Sequence, residues 1–152
     1  KTFWIDTLGV KYKMSNVQAA IGLAQIRRSD LQIYMKKRIN DWYKYFLSDL
    51  QCIEFQSEYP NSTSVNWMTS IRILENAACT RDELIERLRN VNVDSRPLFP
   101  AISQYPIWNK AQKSGKSALT LGQTAMNLPS GVGLSKNQVK MVADKIRLIL
   151  TS

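Results

Sequence analysis

The sequence predicts an α+β fold, a long N-terminal helix followed by a small, mainly antiparallel sheet with helices on one face. Three observations carry that prediction. Ser15, Thr80 and Ser135 are each followed three residues later by Gln18, Glu83 and Gln138, the spacing of a capping box, and each opens a stretch with apolar residues three or four apart. Residues 51–55 and 65–74 instead set apolar side chains at alternate positions, the period of a strand. Pro97 and Pro100, which lack a backbone N–H, close a third extended run.

Taken in order, residues 1–8 (KTFWIDTL) are short and aromatic, and are expected to lie on another surface or to be loosely held. From Ser15 the apolar positions Val17, Ile21, Ala24, Leu31, Met35, Ile39, Trp42, Phe46 and Leu50 mark one helix, or two meeting near residues 27–30. A continuous helix over 15–50 would be roughly 50 Å long, an element that bridges two bodies. Its part from Lys36 onward is amphipathic, with an inner face suited to cover a sheet. Residues 51–55 (QCIEF) follow as a short strand and 58–64 as a polar loop. Residues 65–74 (VNWMTSIRIL) are the strongest strand candidate, expected to be central, with Val65, Trp67, Thr69, Ile71 and Ile73 on one face and Trp67 in the core.

A helix should then start after Thr80, with Leu84, Ile85 and Leu88 inward, and close at 90–92. Residues 93–98 read as a strand, 101–117 as irregular with a short helical piece at 107–112, and 117–126 as a helix. The last helix, from Ser135, turns Val139, Val142, Ile146 and Ile149 inward.

A length of 152 residues with 44% hydrophobic and 9% aromatic content suits one ordinary core. No apolar run approaches the roughly 18 residues that cross a bilayer, and the first residues do not form a signal peptide; a soluble, cytoplasmic protein without a membrane partner is expected. Cys52 and Cys79 lack metal spacing and read as free thiols. The absence of histidine removes every Ser-His or Cys-His arrangement, and no metal site is expected. With 21 Lys+Arg against 12 Asp+Glu, a net charge of +9 favours phosphate-bearing partners. The basic residues are dispersed among no zinc, helix-turn-helix or RNP-type signature, so nucleic acid is not expected.

The run from Gly9 (GVKYKMSNVQAAIGLAQI) resembles the Gly-Tyr-Asn-Tyr-Arg-Met…Gln-Ala-Ala…Gly…Gln signature of the DegT/DnrJ/EryC1/StrS family of pyridoxal-phosphate-dependent sugar aminotransferases. Trp67-Met68, the block from Asp94 to Pro100 (DSRPLFP), Asn127-Leu128-Pro129-Ser130-Gly131 and the Leu134-Ser135 helix start resemble that family's later blocks in the same order. The resemblance implies the C-terminal small domain of a fold-type I transferase. Residues 1–14 would then be the tail of the cofactor domain, 15–50 a connecting helical segment and 51–152 the small domain, with the cofactor-holding lysine elsewhere.

It also implies a homodimer that uses pyridoxal phosphate, a nucleotide-linked keto-deoxysugar and an amino donor such as glutamate. No catalytic residue is expected in this chain, and the chain alone is expected to be inactive. Lys11 stands where the family commonly has an asparagine that reaches the cofactor phosphate of the neighbouring subunit. An ammonium can serve there as a point charge, although a solvated loop lysine is the plainer alternative. Arg96 falls in a block that the resemblance places near the active-site mouth, where its planar fork would meet a phosphate or carboxylate; a surface ion pair is the plainer reading. A stand-alone, non-catalytic binding or regulatory module with the same small-domain fold is the competing interpretation.

Overall fold

The computed structural model of the chain describes residues 10, 12–106 and 115–151. Lys11, the residue 1–8 segment and the helical piece expected at 107–112 lie outside the described residues. The chain divides into two compact units, Lys1–Leu31 and Gln32–Ser152.

In the first unit, helix α1 (Asn16–Ile26) opens on the expected box: the Ser15 N–H donates to Gln18 Oε1 at 2.9 Å and the Gln18 N–H to Ser15 Oγ at 3.3 Å. No residue of α1 is buried, and Val17, Ile21, Leu23 and Ile26 all face solvent. The helical stretch is two helices rather than one. Ser29 Oγ donates to the Ile26 carbonyl at 2.9 Å, so a side chain occupies an acceptor that a continuous helix would leave to the backbone. Helix α2 (Ser29–Phe46) restarts at once.

The second unit is built on a four-stranded sheet, β1 (Ile53–Phe55), β2 (Ser70–Ile73), β3 (Arg96–Pro97) and β4 (Ala125–Asn127), ordered β1-β2-β4-β3 and antiparallel throughout. Ile53, Ile71, Ile73 and Met126 line one face. There they meet Ile39 and Tyr43 of α2, Leu84, Ile85 and Leu88 of α3 (Arg81–Asn90), and Val139, Val142, Ala143, Ile146 and Leu150 of α5 (Lys136–Thr151). Burying a Leu or Ile side chain contributes about 1.5–3 kcal/mol, so this layer of aliphatic side chains is the main source of stability. Both downstream boxes form: the Thr80 N–H donates to Glu83 Oε2 at 2.7 Å, and the Ser135 N–H to Gln138 Oε1 at 2.9 Å. Helix α3 closes where expected, with Asn92 in the left-handed region (φ 59°) and the Val93 N–H returning to the Leu88 carbonyl at 2.9 Å.

Three local expectations need correction. The strand expected over 65–74 pairs only from Ser70: Asn66 takes a left-handed φ of 47°, which breaks the extended run, and Val65 and Trp67 are exposed rather than on the core face. Trp67 is thus not a core residue, being 62% exposed. The helix expected over 117–126 is α4 (Lys116–Thr124), which ends two residues early; Ala125, Met126 and Asn127 form a fully buried strand between β2 and β3. Thr124 Oγ1 bonds back to the Thr120 carbonyl at 2.8 Å, and Arg81 Nη1 takes the Ala125 carbonyl at 2.9 Å, holding the point at which helix turns into strand. Of the strand expected over 93–98, Arg96 and Pro97 pair with β4 on the sheet edge and the Leu98 N–H donates to the Ala125 carbonyl at 3.0 Å.

Candidate functional site

Because β4 runs antiparallel to both neighbours, the start of β2, the end of β4 and the start of β3 fall at one end of the sheet. Residues 67–70, 127–131 and 94–96 therefore converge, three of the blocks on which the resemblance rests. Ser70, Asn127 and Arg96 form one row across three strands, and residues directly opposite one another project to the same face. Ser70 Oγ donates to Asn127 Oδ1 at 2.7 Å, which holds the buried amide in one orientation. Arg96 is exposed, its Nη2 3.4 Å from Asp94 Oδ2, an ion pair weak enough to be exchanged for another anion.

Helix α2 secures the loops beside this row. Lys36 Nζ donates to the Trp67 carbonyl and to the Ser130 carbonyl, both at 2.6 Å, and two turns along the helix the buried Tyr43 hydroxyl donates to the Pro129 carbonyl at 3.0 Å. The seven-residue spacing puts both groups on one helix face. Burial lowers the Lys36 ammonium from its ordinary value and raises the Tyr43 phenol well above its own. The loops are also tied to each other: the Thr69 N–H donates to Ser130 Oγ at 2.9 Å, Ser130 Oγ to the Leu128 carbonyl at 2.7 Å, and the Leu128 N–H to the Thr69 carbonyl at 2.9 Å.

On the same face as this row, the one turned away from the aliphatic layer, Arg72 alternates with Ile71 and Ile73 and pairs with Glu54 at 3.2 Å. It borders a cleft of about 450 Å³ whose walls include Phe55, Ser70, Leu98 and Leu121, the last from α4. Among the described residues no group of three or more Cys, Asp or Glu side chains could hold a metal ion, and no helix is long and apolar enough to cross a membrane.

At the sheet end the 127–131 segment is tied to the Trp67 backbone through Lys36 and is paired with Arg96 at Asn127; Lys11 lies outside the described residues. Lys36, Tyr43, Ser70 and Asn127 were not anticipated as parts of one site, and in sequence Lys36 is one basic residue of a Lys-Lys-Arg run. An indole, a guanidinium, an amide and hydroxyls suit the holding of a ligand. They do not by themselves make a site for pyridoxal phosphate. Lys36 is committed to two carbonyls and Arg96, whose exposed pair with Asp94 is exchangeable, is a single cation, so the described residues offer no convergent cradle for a cofactor phosphate, and no chemical step is assigned to them.

The sequence pattern of the DegT/DnrJ/EryC1/StrS aminotransferase family matches residues 1–147. The chain belongs to that family. Among curated members it is similar to the GDP-perosamine synthase of Escherichia coli O157:H7, 33% identical over 146 residues, covering 96% of this chain and 39% of that protein. It is also similar to the GDP-perosamine synthase of Caulobacter vibrioides, 31% identical over 152 residues, covering 99% of this chain and 41% of that protein. The solved aminotransferase TlmJ from Streptoalloteichus hindustanus has the same fold, with a TM-score of 0.84 over 97% of this chain and 40% of that chain at 21% identity. The chain thus spans about two fifths of the length of these family members.

Proposed function

We propose that the chain is the C-terminal part of a pyridoxal-phosphate-dependent aminotransferase that installs an amino group at the keto carbon of a nucleotide-linked deoxysugar. The observation that carries this reading is the convergence of three family blocks on a single sheet end, where Arg96, Asn127 and Trp67 offer charge, hydrogen bonds and an aromatic face to a ligand. Similarity to two GDP-perosamine synthases supports a GDP-linked sugar. Glutamate is the amino donor and the enzyme works as a cytoplasmic homodimer. Pyridoxal phosphate, when bound, supplies the electron sink through which nitrogen passes from donor to sugar.

In this reading the lysine that holds the cofactor belongs to a domain outside this chain, so residues 1–152 alone are inactive. Lys11 donates to the phosphate of a cofactor bound by the partner subunit, and Arg96 meets a phosphate or carboxylate of substrate. The test is the full-length polypeptide with pyridoxal phosphate, glutamate and a panel of GDP- and dTDP-linked keto-sugars. Formation of an amino sugar from a GDP-linked member is expected; no amine from any member overturns the assignment. In the same protein, Lys11→Ala should weaken cofactor binding, read by absorbance titration, about 10- to 100-fold, with Lys11→Asn recovering most of the loss. Unchanged affinity in Lys11→Ala would make Lys11 a surface lysine.

A further inference from the structure

Trp67 is an exposed indole on a rigidly fixed backbone. On its N-terminal side, Asn66 sits in the left-handed region, its N–H donating to Ser64 Oγ at 3.1 Å and its Nδ2 to the Ser64 carbonyl at 3.3 Å. Its own carbonyl accepts from Lys36 Nζ, and on its C-terminal side the Thr69 N–H is held by Ser130 Oγ. Asparagine tolerates that region better than other non-glycine residues, and the two bonds to Ser64 hold it there. Past this turn a tryptophan lies exposed just before a strand whose apolar positions, Ile71 and Ile73, are buried. A large aromatic surface held outward from a fixed backbone, at the sheet end where the 127–131 loop is tied down, is suited to pack against a flat ring of a ligand.

We propose that Trp67 is the surface on which a ring of the nucleotide-linked substrate packs, and that Lys36 is a positioning residue that holds the indole-bearing backbone against the 127–131 loop. The inference rests on the function proposed above and names a specificity-determining contact within it. A flat apolar ring face is shared by the nucleobase and the sugar, and both can stack on an indole. Lys36 never touches the ligand. By taking the Trp67 and Ser130 carbonyls together it fixes the indole-bearing loop against the loop that follows Asn127, so losing either donor bond frees the indole.

The experiment uses full-length enzyme and compares wild type with Trp67→Ala, Trp67→Phe, Lys36→Met, Lys36→Arg and the double variant Lys36→Met/Trp67→Ala. Steady-state kinetics use the keto-sugar that the wild type aminates, and calorimetric titrations use GDP and GDP-mannose. Trp67→Ala should raise KM about 10-fold with kcat within about twofold, and Trp67→Phe should keep most of the affinity, as expected for a lost stacking contact. Lys36→Met should reproduce the KM effect and Lys36→Arg should restore it, with the double variant no worse than either single one because both act through the same ring. Equal weakening of GDP and GDP-mannose assigns the stacked ring to the base; weakening of GDP-mannose alone assigns it to the sugar.

An unchanged KM in Trp67→Ala, with wild type active, overturns the proposal. So does a dimer that dissociates in Trp67→Ala while KM holds, since the indole would then be a contact between protein surfaces. If the wild type aminates none of the sugars and binds neither titrant, the functional assignment is what fails.

Discussion

Tyr43 shows how one buried polar atom can fix a loop. Its ring is fully buried and its hydroxyl donates to the Pro129 carbonyl, so the phenol is held in its neutral form by desolvation. Replacing it by phenylalanine keeps the packing volume but leaves that carbonyl without its donor, at a cost of about 1–3 kcal/mol. Tyr43→Phe should lower the urea midpoint accordingly and speed hydrogen exchange of the 128–131 amides; an unchanged midpoint would mean that solvent replaces the bond freely. Neither Tyr43 nor Lys36 could be recognised in the sequence as a clamp, because their three partners are backbone carbonyls far along the chain, at 67, 129 and 130. Arg96 was visible as a candidate since it lies inside a family block, whereas Asn127 and Ser70 acquire their relation only from strand pairing.

At the scale of elements, the helix starts were the most legible feature, because a capping box is satisfied within four residues. In α3 the Glu83 carboxylate accepts from the Thr80 N–H and hydroxyl, and these bonds hold its pKa below the ordinary value. A lowered carboxylate pKa stabilises the folded state fully above the unfolded value of about 4.3, and that contribution is lost as pH falls through the lowered value. Destabilisation of α3 on acidification is therefore expected, read as faster exchange of its amides, and Glu83→Gln, which cannot titrate there, should flatten the response. If wild type and Glu83→Gln respond alike between neutral pH and pH values below the carboxylate range, the box is not the titrating group. Strand β4 was illegible for the opposite reason. Ala-Met-Asn has little intrinsic strand preference, and the segment becomes extended because β2 and β3 supply partners on both sides. The run at 65–74 misled for a related reason, its alternation continuing through Asn66 although the backbone turns there.

At the scale of the molecule, α1 carries apolar side chains that stay exposed among the described residues. It buries no residue, and Ile21 is 59% exposed. Val17, Ala20, Ile21 and Ala24 form a face of small and branched residues suited to close approach, and a Cβ at Gly22 would meet nothing within 4 Å. Glycine at that point costs about 1 kcal/mol of helix propensity relative to alanine. The proposed homodimer gives α1 its partner: Ile21→Lys in the full-length protein should raise the dimer dissociation constant at least tenfold by analytical ultracentrifugation, and an unchanged constant would place the interface elsewhere. Helix α4 passes into β4 without a single connecting residue. Since a strand alternates its faces at every residue, one amino acid gained or lost within 116–124 would turn Asn127 into the aliphatic layer and Met126 out of it. Length changes are thus disfavoured in this segment, whereas the polar stretch at 58–64, which lies between paired strands without joining a helix to one, can absorb them.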